Sequence, residues 1–278
     1  MIMKTLKIAS INVNGFNHKA TEISRFIARY HLHATFLQET HQIHNQLISH
    51  LLQKNNLHVI PNTFLSETPN SYHKHGTAIV VNRNILNIAL DHIQSEVIVA
   101  NRIQSVTFPI LNSLYTIINV YFPSGHDSKV IKDRVHCINE LFLYLKNLNL
   151  RNRKIHIVGD FNFTLNNIDR AGKFCFNSND KLLFRQLLCC FDLIDIYRTV
   201  FPQKVVYTFS RTHPTSRLDR IYSPNSDRSN IVEIKHLPVS FSDHSLAPSM
   251  VIKTTSKIPT LHSYWMFRTK ARYCGYHS

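Results

Sequence analysis

Short apolar runs alternate with amphipathic segments along the chain, and this alternation predicts an α/β protein. Apolar side chains recur every three to four positions in segments that we predict to be helices, over residues 21–30, 43–54, 128–148 and 180–191. Shorter apolar runs predict strands over residues 6–13, 34–37, 76–81, 97–108, 114–122, 154–158, 205–209, 218–222, 231–237 and 246–252.

No repeat, low-complexity linker or clear boundary interrupts this pattern. We therefore expect one domain of mixed sheets covered by helices over residues 1–253. The tail over residues 254–278 loses the periodicity and is rich in polar, aromatic and basic residues.

The balance of charge bears on the expected partner. The 278 residues include 32 Lys and Arg against 17 Asp and Glu, a formal net charge of +15. Such an excess favours a polyanionic partner, with nucleic acid first and an acidic membrane surface second. Solubility alone is the alternative reason for this charge, and the 18 histidines are scattered without metal-ligand spacing.

Cysteine use and the amino terminus bear on location. The five cysteines form no Cys-x-x-Cys pair and no secretory framework, which indicates reduced thiols. The first residues lack the apolar core of a signal peptide, and no apolar run approaches membrane-spanning length. We therefore expect an intracellular protein, nuclear or cytoplasmic, with no membrane partner.

The most informative stretch is the apolar run of residues 154–158 that leads into Gly159-Asp160-Phe161-Asn162. On an extended chain, residues two apart point to the same side, so Asp160 and Asn162 could converge on one metal ion, water or phosphate oxygen. Phe161 would then turn into the core, and Gly159 would let the backbone approach a ligand closely. Turn formation alone would also explain Asp and Asn at a strand end.

Four further polar clusters stand where predicted strands end. They comprise Asn12 and Asn14 before Gly15, Glu39 within Gln38-Glu39-Thr40-His41, Tyr121 before Phe122-Pro123, and Asp219 together with Asp243 and His244. Taken singly, each has an ordinary structural explanation, such as a carboxylate at a helix amino terminus, a core aromatic residue or a surface ion pair. Their order along the chain favours a shared site.

In this order, the clusters resemble the signature blocks of the endonuclease/exonuclease/phosphatase superfamily, which includes exonuclease III-like abasic endonucleases and deoxyribonuclease I. The resemblance runs from about residue 6 to residue 252. It implies a four-layer α/β sandwich, in which two mixed β-sheets pack together and are flanked by helices. It also implies a Mg²⁺-dependent phosphodiester hydrolase, with Mn²⁺ as an alternative ion.

The resemblance assigns site residues position by position. The metal-binding residues that it implies are Asn12, Asn14, Glu39 and Asp243. The catalytic residues that it implies are Tyr121, Asp160, Asn162, Asp219 and His244. Two assignments of the general base stay open, since either Asp160 or His244 could take the proton of the attacking water. Whether one or two metals bind, with Asp243 belonging to the second or lying just outside the ligands, also stays open.

Within the superfamily, the chain most resembles the endonuclease domain of LINE-type (non-LTR) retrotransposons. The stretches that carry this resemblance are Gln38-Glu39-Thr40-His41, Ile168-Asp169-Arg170, Ser216-Arg217-Leu218-Asp219-Arg220-Ile221-Tyr222 and Tyr264-Trp265-Met266-Phe267. The chain departs from the pattern at Arg268, where Asn is expected, and at Phe209, where many relatives carry Trp. It contains no reverse-transcriptase region, so reverse transcription would have to come from elsewhere.

Double-stranded DNA is the partner that this resemblance implies. The basic residues nearest the motifs, and thus the candidates for phosphate contacts, are Arg170, Arg211, Arg217 and Arg220. Each could instead be an ordinary solvated arginine. The candidate for insertion into a groove is the loop of residues 199–215, with its tip at residues 211–214. The sequence leaves the oligomeric state and the target site open.

The leading expectation is an endonuclease that nicks one DNA strand and leaves a 3′-hydroxyl. An abasic-site repair endonuclease is the alternative within the fold, and it would prefer an abasic duplex over intact DNA. A phospholipid or inositol phosphatase is disfavoured, because such enzymes carry Trp-Cys-Asp-Arg where this chain has Arg217-Leu218-Asp219-Arg220. A catalytically silent DNA-binding remnant of a truncated element is the alternative from another class.

Overall fold

The structure is a computed structural model that describes residues 5–62, 75–86, 88–172, 178–210 and 215–254. In chain order its strands are β1 Thr5–Asn12, β2 Ala34–Gln38, β3 Leu57–Asn62, β4 Thr77–Asn82, β5 Gln94–Val99, β6 Ile103–Ile110, β7 Ser113–Tyr121, β8 Arg153–Asp160, β9 Leu193–Asp195, β10 Asp219–Pro224, β11 Ile231–Pro238 and β12 Leu246–Lys253. Its α-helices are α1 Ala20–Tyr30, α2 Asn45–Asn55, α3 Ser128–Asn147, α4 Asn179–Cys190 and α5 Ile196–Val200.

The strands form two mixed six-stranded sheets. The first sheet has the order β11-β12-β1-β2-β4-β3, and the second has the order β5-β6-β7-β8-β10-β9. Each sheet contains a parallel pair, β1 with β2 and β7 with β8, and its other neighbouring strands are antiparallel. Each parallel pair occupies the two central positions of its sheet, so the two pairs face each other across the sandwich.

Apolar side chains fill three layers. One lies between the sheets and includes Phe36, Phe108 and Val158. The second joins α1 and α2 to the first sheet, and the third joins α3 and α4 to the second sheet. Two sheets packed together and covered by helices form a four-layer α/β sandwich, so the predicted fold class is confirmed.

Helix α3 shows how the sequence sets these elements. Asp127 caps its amino terminus, where Oδ1 accepts a hydrogen bond from the backbone N of Val130 (2.9 Å). Cys137, Leu141 and Leu145 recur every four residues and are buried against the second sheet. The predicted helix is therefore confirmed, as are the other three, which match α1, α2 and α4 to within two residues at each end.

Two strand predictions are wrong. The predicted strand 97–108 is two antiparallel strands, β5 and β6, because Asn101 takes a left-handed conformation (φ 61°) in the turn between them. The predicted strand 205–209 does not form, since within it only Phe209 pairs, through isolated bridges to Ser216 and His244. An apolar alternation predicts a strand only where a neighbouring strand is available for pairing.

Two strands and one helix lie where the pattern predicts none. Pro61 and His58 interrupt the apolar pattern of β3, which is an edge strand of its sheet. Strand β9 and helix α5 are too short for a periodic signal. None of the described helices is both long and apolar enough to cross a membrane. The tail over residues 255–278 lies outside the described residues, so the boundary at residue 253 stays a prediction.

Candidate active site

One edge of the sandwich gathers the polar residues that the sequence singled out. It is the edge where the central parallel strands of both sheets end, which is where ligands bind in many α/β proteins. Strand β10 begins at this edge because it runs antiparallel to β8, and β12 begins there because it runs antiparallel to β1. The candidate residues that these elements bring to the edge are Asn12, Asn14, Glu39, Tyr121, Asp160, Asn162, Asp219, Asp243 and His244.

Asp160 joins the two sheets at the centre of this edge. Its Oδ2 accepts a hydrogen bond from Nδ2 of Asn12 (3.0 Å), and its Oδ1 accepts one from the backbone N of Asn162 (2.9 Å). Burial raises the pKa of Asp160 to about 7, with the charge of His244 opposing the rise and that of Asp219 adding to it. The carboxyl group therefore changes charge near neutral pH, which suits a general base.

His244 lies between two carboxylates. Its Nδ1 is 2.7 Å from Oδ2 of Asp219, and its Nε2 is 3.8 Å from Oδ2 of Asp160. Burial disfavours the charged ring, but the carboxylate of Asp219 outweighs this effect and raises the pKa of His244 to about 10. The imidazole is therefore protonated at neutral pH, and Nδ1 donates its hydrogen to Asp219. The ring of Phe209 packs beside it, with 5.1 Å between ring centroids.

Two hydroxyl groups that the sequence did not single out hold this pair in place. Oγ1 of Thr208 accepts hydrogen bonds from the backbone N of Leu218 (3.0 Å) and of Asp219 (3.2 Å). Oγ of Ser242 donates to the carbonyl of Asn12 (2.7 Å) and accepts from the backbone N of His244 (3.2 Å). Hydroxyl groups near strand ends are too common to serve as a sequence signal by themselves.

Asn162 approaches Asp160 through a turn. Strand β8 ends at Asp160, and Asn162 takes a left-handed conformation (φ 53°) in which its Nδ2 donates to the carbonyl of Phe122 (2.8 Å). Extended-strand geometry therefore does not account for their proximity, contrary to the expectation from spacing. Phe161 is fully buried among the aromatic residues beneath α3 and α4, as predicted.

Tyr121 stands beside Asp160 in the register of β7 and β8. Its hydroxyl donates to Oε1 of Glu39 (2.6 Å), and the guanidinium of Arg102 lies over its ring, 4.8 Å from the centroid. Burial and then the charge of Glu39 raise the pKa of Tyr121 well above its usual range. The phenol therefore stays protonated at any working pH, and in the structure it donates its hydrogen to Glu39.

Lys19 lies among the residues predicted to bind a metal. Nζ of Lys19 donates to the carbonyls of Val13 (2.6 Å) and Asn14 (2.8 Å). Burial lowers the pKa of Lys19, and the charges of Asp243 and Glu39 oppose this shift, so both carboxylates lie near one cationic group. Carboxylate and amide oxygens suit a divalent cation such as Mg²⁺, and the assignment of Asn12, Asn14, Glu39 and Asp243 as its ligands stays a prediction.

A second group of potential ligands overlaps the residues predicted to be catalytic. Among the described residues, the ligand atoms of Asp160, Asp219 and His244 all lie within 4.8 Å of one another. Nδ1 of His244 already donates to Asp219, which leaves Nε2 as the ligand atom of this ring. This group and the Glu39 side therefore both offer ligands to a metal ion.

Gly159 is required by the packing of its own sheet. A Cβ atom at this position would lie 1.9 Å from the carbonyl oxygen of Val120 in the neighbouring strand, and φ is +147°. The absent side chain therefore lets β7 and β8 approach each other at their ends, and the close approach of a ligand expected from the sequence stays a prediction. This close approach sets Tyr121 beside Asp160.

Two of the predicted phosphate contacts are wrong, because the side chains are buried. Arg217 is fully buried and pairs with Asp169 (2.8 Å) and Asp195 (2.5 Å). Arg220 is buried against the ring of Phe161, 4.8 Å from its centroid, and donates to the carbonyl of Phe163. A guanidinium enclosed in this way stabilises the fold and cannot reach a DNA backbone.

The other two arginines have different outcomes. Arg170 is half-buried and forms an isolated bridge with Ser216 near the site, so it stays a candidate for a phosphate contact. Arg211, with the rest of the predicted loop tip at residues 211–214, lies outside the described residues.

Comparison with known sequences identifies the family. The model of the Endonuclease/Exonuclease/phosphatase family matches residues 9–244, and the chain belongs to this family. It is 26% identical over 275 residues to the transposon TX1 uncharacterized 149 kDa protein of Xenopus laevis, a match that covers 94% of this chain. The match covers 19% of that relative, so the chain spans about a fifth of its length. The resemblance stated from the sequence is thereby confirmed, including its link to transposon proteins.

Solved structures agree on the fold. An AP endonuclease from Leishmania major has a TM-score of 0.74 and 16% identity, covering 91% of this chain and 89% of that one. An AP endonuclease from Archaeoglobus fulgidus has a TM-score of 0.71 and 19% identity, covering 89% and 99% of the two chains. A 3′ phosphatase from Neisseria, bound to a product DNA hairpin, has a TM-score of 0.69 and 19% identity, covering 88% and 98%.

Proposed function

We propose that this protein is a Mg²⁺-dependent endonuclease that nicks one strand of double-stranded DNA and leaves a 3′-hydroxyl. The observation that carries the proposal is the position of Asp160, whose Oδ2 lies 3.8 Å from Nε2 of His244 and whose partner in the neighbouring strand, Tyr121, donates to Glu39. Family membership, a transposon relative and the net charge of +15 support DNA as the substrate.

The residues around Glu39 hold the metal in this proposal. Glu39, Asn12 and Asn14 are its ligands, and Asp243 either joins them or orients the water molecules around them. Mg²⁺ bound there would neutralise charge on the phosphate and stabilise the leaving oxygen. Mn²⁺ takes the same kind of oxygen ligand and is the alternative ion.

Asp160 takes the proton of the attacking water. Its raised pKa makes the carboxylate a stronger base than an ordinary aspartate. The backbone N of Asn162 donates to this carboxylate and Nδ2 of Asn162 donates to Phe122, so we propose that the side-chain oxygen of Asn162 orients the same water. His244 has the opposite task, since a ring protonated at neutral pH cannot accept this proton. Its positive charge stabilises the negative charge that builds up on the phosphate. These shifts favour Asp160 over His244 as the general base.

Asp219 and Tyr121 complete the chemistry. Asp219 keeps the imidazolium charged and oriented through the 2.7 Å hydrogen bond to Nδ1. Tyr121 retains its proton at any working pH and would turn this hydrogen from Glu39 to the phosphate when substrate binds. Arg170 and Arg211 are proposed to contact DNA phosphates, which would position the duplex without reading its sequence.

A plasmid assay tests the proposal. Purified protein should convert supercoiled plasmid to open circles with Mg²⁺ and not with EDTA, and Asp160→Ala and His244→Ala should abolish the conversion. Asp133→Ala, on the exposed face of α3, is the matched control and should cut as the wild type does. The nicked ends should be extended by a DNA polymerase, because extension requires a 3′-hydroxyl.

The same assay separates the alternatives. An abasic-repair endonuclease should cut a duplex with one abasic site far faster than the intact duplex of the same sequence. A folded protein that binds plasmid and cuts neither substrate would be a DNA-binding remnant, and the proposal of an enzyme would then be rejected.

A further inference from the structure

A buried arginine outside the predicted site connects two of its loops. Arg134, on α3, is 2% exposed, and its Nε lies 2.9 Å from Oδ2 of Asp180 at the start of α4. Its Nη1 donates to the backbone carbonyl of Asn162 (3.1 Å), and its Nη2 donates to the backbone carbonyl of Gly125 (2.8 Å). Two nitrogens of one guanidinium therefore donate to backbone carbonyls of two different segments, and the third lies within ion-pair distance of a carboxylate on a third segment.

Two of these segments carry site residues. The carbonyl of Gly125 belongs to the loop that follows β7 and Tyr121, and the carbonyl of Asn162 belongs to the loop that follows β8 and Asp160. The two loops also touch directly, through the hydrogen bond from Nδ2 of Asn162 to the carbonyl of Phe122. Arg134, on α3, thus holds the loop after β7 and the loop after β8 at a fixed distance from each other.

Asn162 has a particular need for such an anchor. Its left-handed conformation (φ 53°) is unfavourable for a residue other than glycine, so neighbouring contacts must hold it. Its backbone N donates to Asp160 and its backbone carbonyl accepts from Arg134, so contacts on both sides of the residue fix the turn. The ion pair with Asp180 leaves the guanidinium no freedom to turn away.

We propose that Arg134 is a positioning residue for cleavage, which acts through Asn162 by holding its backbone so that its side chain and Asp160 face the same water. This inference rests on the proposed function. It assigns to a side chain on the outer helix layer an effect on catalysis beyond its effect on stability.

A double-mutant cycle in activity tests the inference. Arg134→Lys keeps the charge beside Asp180 but loses the planar fork that reaches both carbonyls. We expect kcat to fall roughly 10- to 100-fold with KM changed less than about 2-fold, because misplacement of a catalytic group affects the chemical step. In an Asn162→Ala background, the same substitution should cost little further activity, since the residue through which Arg134 acts is already gone.

Arg153→Lys is the matched control. Arg153 also donates to a backbone carbonyl, that of Asn149 (3.0 Å), but it stands at the opposite end of β8 from the site. Its substitution should leave kcat unchanged in both backgrounds. An Arg134→Lys variant with wild-type kcat, or with a loss that adds fully to that of Asn162→Ala, would overturn the inference.

A second variant covers the case in which Arg134→Lys folds poorly. Replacing the pair by Arg134→Met with Asp180→Leu removes both buried charges and keeps apolar volume, a change that folded proteins often accept. If this variant unfolds at the wild-type urea concentration and still loses kcat, the inference stands; if it retains kcat, the inference fails. An inactive wild type would instead reject the proposed function, so the two failures are distinguishable.

Discussion

The two halves of the candidate site differ in how far water reaches them. In the half built on Asp160, Asp219 and His244, no side chain is more than 6% exposed. In the other half, Glu39 and Asp243 are half-buried. Neighbouring charges and burial set the pKa values of Asp160 and His244 in the first half, whereas the second half is more open to water, which suits the proposed Mg²⁺ site because this ion keeps several water ligands. The same type of side chain is therefore proposed to accept a proton in one half and to bind a metal in the other.

The largest effect is expected from the buried half. Asp160→Asn keeps the size of the side chain but removes its basic oxygen, so the rate of plasmid nicking should fall about 10³-fold. Single-turnover rates across a titration of Mg²⁺ measure this loss. Because Asp160 is not assigned to the metal, added Mg²⁺ should restore nothing; a recovery would move Asp160 into the metal-binding half.

A smaller loss of nicking rate is expected from a substitution in the half of the site that contains Glu39. Glu39→Gln removes one negative ligand, and the nicking rate should fall roughly 10- to 100-fold at low Mg²⁺. Here the same titration should recover part of the rate, because mass action offsets weaker binding. Glu96→Gln, on the exposed edge strand β5, is the control and should titrate as the wild type does. A loss that is equal at every Mg²⁺ concentration would contradict the division of the site.

A third prediction concerns stability instead of rate, and it tests whether burial without a hydrogen-bonded carboxylate lowers the pKa of a histidine, the reverse of what Asp219 does to His244. His156 on β8 is fully buried, and its Nδ1 lies 2.9 Å from the hydroxyl of Ser223, a neutral partner. Burial lowers the pKa of His156 to about 4, below its ordinary value of 6.5. The unfolded chain then binds the proton more readily, so stability is complete above about pH 6.5 and is lost as the pH falls towards 4.

Urea unfolding at two pH values measures this effect. Between neutral pH and about pH 4.5, His156 should cost about 2 to 3 kcal/mol of the free energy of unfolding. The pKa of His236 is also lowered by burial to about 4, and its protonation reduces the free energy of unfolding by the same amount in the wild type and in His156→Asn. The variant should therefore lose less stability than the wild type over this range; identical losses would mean that His156 is protonated in the fold.

Local sequence signals predicted an α/β domain with mixed sheets covered by helices and placed most candidate site residues at strand ends, because a strand end shows in the chain as an apolar run followed by polar residues. The four-layer sandwich was predicted from the family resemblance. Asp160, Glu39 and Asp219 each follow or begin such a run, and the structure brings all three to one edge. The turn at Asn162 was not predictable in this way, because its left-handed conformation depends on contacts from α3.

The arginines show where local signals fail. In the sequence, Arg217 and Arg220 resemble a basic surface segment. The carboxylates that pair with the buried Arg217 belong to Asp169 and Asp195, which are 48 and 22 positions away in the chain. Such partners become visible only when the fold is known. Thr208 is similar, since the backbone groups that it binds lie 10 and 11 residues further along the chain.

The hydrogen bond from Ser242 to the carbonyl of Asn12 joins positions 230 residues apart and has a consequence for inheritance. The candidate site contains residues from the first strand of the domain and from the loop before the last strand, so a gene fragment that encodes only part of residues 12–244 cannot encode the site. A copy that lost the codons for residues 1–39 would lack both the central strand β1 and Glu39. A gene copy shortened in this way would therefore lack the proposed cutting activity.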